Sequence, residues 1–184
     1  MRSDPVLFDT VTLRNLAVAE SIDVCRAVHE ARDPPRWTES VHREIVAGAR
    51  AGADECVTVW EAAWLGAPLE PEVVDLASIR RLQIALGGAS KHAGEAESIY
   101  FAERLGGMFA TDDAIAYDFA RNKLGTGRVL DTIDVLRSAV ELGYLSPKDA
   151  AQRACSVAEA GRHLRTGRNR HPGSTYFEPS RGTA

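Results

Sequence analysis

Short apolar runs alternate along this chain with longer segments of helical period. Val6-Leu7-Phe8 is a three-residue β-favouring run that stops at Asp9-Thr10, the pattern of a buried first strand feeding a helix. Helical spacing follows through Leu13, Leu16 and Ala17, then through Ile22, Val24, Cys25 and Val28. Asp33-Pro34-Pro35 breaks that pattern, Arg36-Trp37 predicts a short extended piece, and Thr38 is placed to cap a helix through Val41, Ile45 and Val46. Residues 53–64 and 73–86 are helical in pattern, with a Gly- and Pro-containing loop from Gly66 between them and Gly87-Gly88 after them.

The second half is more regular. Gly94 to Leu105 places Ile99, Phe101, Ala102 and Leu105 on or near one helix face, and Gly106-Gly107 supplies its C-terminal cap. Met108 to Thr111 predicts a strand ending at Asp112-Asp113, followed by a helix from Ala114 to Leu124 and a turn at Gly125-Thr126-Gly127. Arg128-Val129-Leu130 predicts another short strand, and two helices finish the body: Thr132 to Leu142, then Ser146 to about Leu164. Ser146-Pro147-Lys148-Asp149 is a helix start, with a capping hydroxyl, proline in the first position and an acid in the third. Short strands separated by helices predict parallel pairing through crossover helices, hence a helix-rich α/β fold, a three-layer α/β/α sandwich on a short parallel sheet. One domain is expected over 1–165, with a helical insertion at about 53–90. A flexible basic tail is expected over 166–184, which lacks periodicity.

Composition adds little to this and excludes some classes. A hydrophobic share of 45% and a charged share of 26% suit a globular domain of 184 residues, large enough for a proper core. Charge interrupts every apolar stretch before membrane-spanning length, so the expectation is a cytoplasmic protein with no membrane partner. Cys25, Cys56 and Cys155 are scattered and unpaired in pattern, the usage of small apolar residues rather than of a thiol metal site. The net charge of −4 argues against wholesale nucleic-acid binding, but the cations cluster: Arg162, Arg165, Arg168, Arg170 and Arg181 lie near the end, with Glu178 the only acid after Arg162.

Candidate chemistry rests on carboxylates. Asp9 ends the first strand, and Asp112 and Asp113 end a later one, the positions where parallel sheets collect ligand groups. Converging carboxylates are the donors that Mg²⁺ and Mn²⁺ take, and phosphodiester hydrolysis uses one such ion or two, roughly 3.5–4 Å apart. An acid between strand and helix is equally a good N-cap, so either of Asp112 and Asp113 could serve only that purpose. Glu44 and Glu95 lie on predicted helices, and spacing alone does not choose Glu95 over Glu97 or Glu103.

The stretches VLFDT (6–10), ESVHREI (39–45), GEAESIYFAERLGG (94–107) and FATDD (109–113) resemble the motifs of PIN domains, and occur in the PIN order. They are most similar to the branch of VapC-type toxins whose third acid lies in a Gly-Glu-Ala-Glu motif, and RVLDTIDVLRSAVELGYLS (128–146) resembles that branch as well. The resemblance spans most of 4–146 and is weakest over 53–90. It implies a PIN-type fold and a four-acid site of Asp9, Glu44, Glu95 and Asp113 that binds Mg²⁺ or Mn²⁺ and hydrolyses RNA. Thr10 matches the hydroxyl residue after the first acid, and Asp112 becomes a neighbour of the ligand Asp113. Arg14, Arg121, Lys123 and Arg128 lie close to the motif ends and are the candidate contacts to RNA phosphates, although solvated helix surface is the commoner role for each.

The activity this implies is metal-dependent endoribonuclease, with the chain as the toxin of a toxin–antitoxin pair. The implied partners are an RNA substrate, a cognate antitoxin and a second copy in a homodimer. A PIN-fold protein that binds RNA or a partner without cutting, and a housekeeping RNA-processing or repair nuclease, are the rival readings. VLFDTVTL also echoes the first motif of haloacid-dehalogenase-like phosphatases. That motif needs a second acid two residues after Asp9, where Val11 stands.

Overall fold

The computed structural model describes residues 5–30, 35–88, 91–162, 164 and 173–178. Four short strands, β1 (Val6–Phe8), β2 (Pro35–Arg36), β3 (Met108–Ala110) and β4 (Val129–Leu130), form one parallel sheet in the order β2-β1-β3-β4. The described helices are α1 (Thr10–Val18), α2 (Ile22–Glu30), α3 (Glu39–Arg50), α4 (Asp54–Ala62), α5 (Val73–Ala85), α6 (Ala93–Leu105), α7 (Ala114–Leu124), α8 (Thr132–Glu141) and α9 (Pro147–Glu159).

The period of two along β1 sorts the helices into layers. Val6 and Phe8 point into a core shared with Leu13 and Leu16 of α1, Cys25 of α2, Val41 and Ile45 of α3, Cys56 and Val59 of α4, and Val135 of α8. Leu7 and Phe109 point the other way, against Ile79 of α5, Ile99 and Ala102 of α6, and Ala116 and Ala120 of α7. A third apolar cluster joins α8 to α9 on the outside. All three β1 residues are wholly buried, which is why the strand reads as a continuous apolar run instead of alternating. The result is the three-layer α/β sandwich that the pattern of elements predicts.

Chain direction reverses at β1. From β1 the chain goes to β2 on one side, then crosses back through α3–α6 to β3 on the other, with Leu7 opposite Phe109. The carboxyl ends of β1 and β3 therefore flank a topological switch point, the crevice where open parallel sheets hold their ligands. The approach of the two strands needs Gly107: a β-carbon there would stand 2.2 Å from the Pro5 carbonyl oxygen.

Several local features differ from the sequence pattern. Thr38 occupies the N-cap of α3, but its hydroxyl makes no capping bond and is buried without a partner. Glu97 of α6 does that work, accepting from the Ser40 amide at 2.9 Å and the Ser40 hydroxyl at 2.6 Å. Segment 53–90 supplies α4 to one core and α5 to the other, and α5 is tied down by buried Asp75, which meets Tyr100 (2.5 Å) and Arg104 (2.8 Å) of α6.

The last helix closes at Glu159, short of Leu164. Within the C-terminal stretch, Ser174–Phe177 forms a 3₁₀ turn and buries Phe177 in the α8–α9 cluster, with Arg137 stacked over Tyr176. A lone aromatic anchor leaves no periodic signature in sequence. The rest of that tail, with Arg165, Arg168, Arg170 and Arg181, and the Asp33-Pro34 break lie outside the described residues.

Candidate metal centre

Asp9 follows β1 directly and caps α1, with Oδ1 accepting from the Thr12 amide at 2.7 Å. Its other oxygen accepts from the Thr111 hydroxyl. The same hydroxyl accepts from the Asp113 amide at 3.1 Å, so Thr111 links the two strand-end acids directly. Asp113 caps α7 through Oδ1, which receives the Ala116 amide at 2.8 Å. Both aspartates thus combine the capping role with a place at the switch point, and each keeps carboxylate acceptor capacity beyond its caps.

Glu44 and Glu95 come to this end of the sheet from α3 and α6. Thr10, the residue after Asp9, donates its hydroxyl to Glu44 Oε2. Burial raises the pKa of Glu44, and the neighbouring charges of Glu95 and Glu97 push it the same way, against the Thr10 bond. Gly94 makes room for this meeting: a β-carbon there would lie 3.0 Å from Val41 Cγ2 and 3.4 Å from Glu44 Oε1. Glu95 sits in the first turn of α6, with Oε1 3.2 Å from His92 Nδ1. One donor atom from each of His92, Glu95 and Asp113 lies within 4.8 Å of the others.

Asp9 is 2% exposed, and burial is the main reason its pKa is pushed up to about 8, with the charge of Asp112 adding to the rise. A buried carboxylate lacking a nearby cation is costly to ionise, and a metal ion is the usual compensation.

The structure separates the carboxylates that spacing does not. Glu97 holds the start of α3, and Glu103 pairs with Lys123 at 2.8 Å on the surface, which leaves Glu95 facing Asp113. Asp112 turns away into the core, where it accepts from Asn15 Nδ2 at 3.0 Å, Thr12 Oγ1 at 3.3 Å, the Thr132 amide at 3.3 Å and the Thr132 hydroxyl. It fastens β3 to α1 and α8. Replacing Asp112 with alanine is expected to destabilise the fold by about 2–4 kcal/mol, since it strands these donors in a closed site. Asp113→Ala loses one exposed-end cap and is expected to cost about 1 kcal/mol. Urea unfolding of both variants checks the order.

The four candidate RNA contacts already have protein partners. Arg14 meets Glu55 at 2.5 Å and Arg121 lies 5.7 Å from the centre of the Tyr117 ring. Lys123 is paired with Glu103. Arg128 donates to the Ala102 and Gly107 carbonyls and so closes the end of α6. His92 and Glu97 are the contributors that sequence reasoning missed. The hint for His92 was its position, three residues before Glu95. Nothing local marked Glu97, whose partner lies 57 residues away.

The fold defines an α/β protein with an acidic cluster of Glu95 and Asp113, beside His92, after its third strand. Compared with protein-family models, curated proteins and solved structures, the chain matches none.

Proposed function

We propose that this chain is a metal-dependent endoribonuclease of the PIN type, with Asp9, Glu44, Glu95 and Asp113 around Mg²⁺ or Mn²⁺. One observation supports the reading: donor atoms of Glu95 and Asp113 lie within 4.8 Å of each other, Thr111 joins Asp113 to Asp9, and Thr10, next to Asp9, holds Glu44. The donor set fits a hard divalent ion, being rich in carboxylate oxygen and including a buried Asp9 in need of positive charge. No family match supports the PIN assignment, which rests on the motif resemblance and on this convergence.

An ion held by these carboxylates would supply Lewis-acid polarisation of the phosphoryl group and offset charge on the leaving oxygen. The protein supplies orientation. Thr111 fixes Asp9 and the loop of Asp113 relative to each other, and Thr10 fixes Glu44 through Oε2. In this reading Glu44 Oε1 accepts a proton from the attacking water, a role supported by the burial that raises its pKa. Water adds to phosphorus as the ribose 3′-oxygen leaves, giving 3′-hydroxyl and 5′-phosphate ends.

Within this reading the biological role is a toxin held by an antitoxin. The apolar residues Val73, Val74 and Leu76, exposed on α5, support a protein partner at that helix, whether antitoxin or second copy. Purified protein is expected to cleave single-stranded RNA in Mg²⁺ or Mn²⁺ and to stop in excess chelator. Cleavage that continues unchanged in chelator would overturn the assignment.

A further inference from the structure

We infer that His92 donates an imidazole nitrogen to the ion held by Glu95 and Asp113, which tilts the site toward Mn²⁺ over Mg²⁺; this rests on the function proposed above and specifies its metal.

His92 stands at the N-cap of α6, where Ser, Thr, Asp or Asn ordinarily satisfies the first amides, yet its side chain makes no capping bond. The imidazole points instead at the acids, with Nδ1 3.2 Å from Glu95 Oε1. Gly87 leaves open the space beside the other edge of the ring, where a β-carbon would lie 3.7 Å from Cδ2 and from Nε2. The residue also holds φ at 58°, in the left-handed region that favours glycine. The ring thus stands with one nitrogen toward the carboxylates.

Distances suit a shared ion. Three atoms within 4.8 Å of one another lie within about 2.8 Å of a common centre, so reaching ligand distances of about 2.0–2.2 Å takes a shift of roughly 0.6–0.8 Å or less from each. Charge suits it too. Asp9, Glu44, Glu95 and Asp113 already bring the negative charge, and a neutral imidazole adds a ligand without further repulsion. Imidazole nitrogen binds first-row transition ions readily, whereas Mg²⁺ keeps oxygen ligands and water. A simple hydrogen bond between His92 and Glu95 would give no such metal preference.

The test uses untagged full-length protein, Mn²⁺ and Mg²⁺, and the variants His92→Gly and His92→Asn. Both replacements accept the left-handed backbone, and glycine relieves it, so both are expected to fold. Pulsed EPR of the Mn²⁺ complex is expected to show coupling to an imidazole nitrogen in the wild type and none in either variant. Calorimetric titration is expected to show Mn²⁺ affinity falling by roughly tenfold in the variants and Mg²⁺ affinity by less than about twofold. Mn²⁺ binding without nitrogen coupling, or coupling that persists in the variants, overturns the role of His92 and leaves the nuclease reading standing. A wild type that binds neither ion overturns both.

Discussion

Asp9→Asn is expected to stabilise the metal-free protein at pH 8, by on the order of 10 °C in melting temperature, while abolishing the stabilisation that Mn²⁺ gives the wild type. The cause is burial. Asp9 is pushed up to about 8 in the folded chain, against roughly 3.9 when unfolded. An acid raised in this way is bound to its proton more tightly by the folded state. Its contribution is therefore complete below pH ~4 and is lost as the pH climbs through about 8. Over that window the loss is roughly 5 kcal/mol for a shift of this size. Asn cannot ionise, keeps nearly the same shape and still accepts from the Thr12 amide. The two proteins should melt together near pH 4 in chelator, separate steadily up to about pH 8 and differ by a constant amount above it. Asp112, raised by burial as well, gives both proteins a pH slope of its own. Melting temperatures of the two proteins that stay a constant distance apart across pH 4–8 would show that Asp9 carries no such burden.

Cleavage should respond to the same residue in the opposite direction. Asp9→Asn and Asp113→Asn are each expected to lower the cleavage rate by about 10³-fold, equivalent to about 4 kcal/mol of transition-state stabilisation. These two acids come from the strand ends and share Thr111, so neither has a substitute. Glu44→Gln is expected to lower the rate by about 10²–10⁴-fold, the usual contribution of a general base, and to flatten the acid limb of the pH–rate profile. Glu103→Gln, remote on the surface with Lys123, should leave the rate within about twofold of wild type. Rates measured at saturating Mn²⁺, with circular dichroism confirming the fold of each variant, decide the ranking.

Much of the architecture was legible because it is local. The Val6–Phe8 run, the paired glycines after Leu105 and the Ser146-Pro147 start each express a backbone preference or a burial pattern confined to a few residues. Asp9 was legible for the same reason, as an acid between a buried strand and a helix. Glu44 was not, because its place is set by a bond from Thr10, 34 residues earlier. The choice of Glu95 over Glu97 was equally hidden. Both lie on α6, and only the docking of α3 shows that Glu97 is occupied at Ser40. Resemblance supplied what spacing lacked there. The preference for Asp113 over Asp112 has a physical basis in the fold, where four donors from α1 and the start of α8 hold Asp112 in the core. His92 stayed hidden because a histidine before a Gly-Glu pair is unremarkable until the folded chain brings Asp113 beside it.

The most direct measurement of the central claim is the fate of one end-labelled single-stranded RNA given to wild-type and Asp9→Asn protein, purified in parallel, in the same Mn²⁺ buffer. Mass spectrometry of the fragments should find 3′-hydroxyl and 5′-phosphate ends from the wild type and intact RNA from the variant. Equal cleavage by both proteins, or 2′,3′-cyclic phosphate ends, would contradict hydrolysis by this carboxylate cluster.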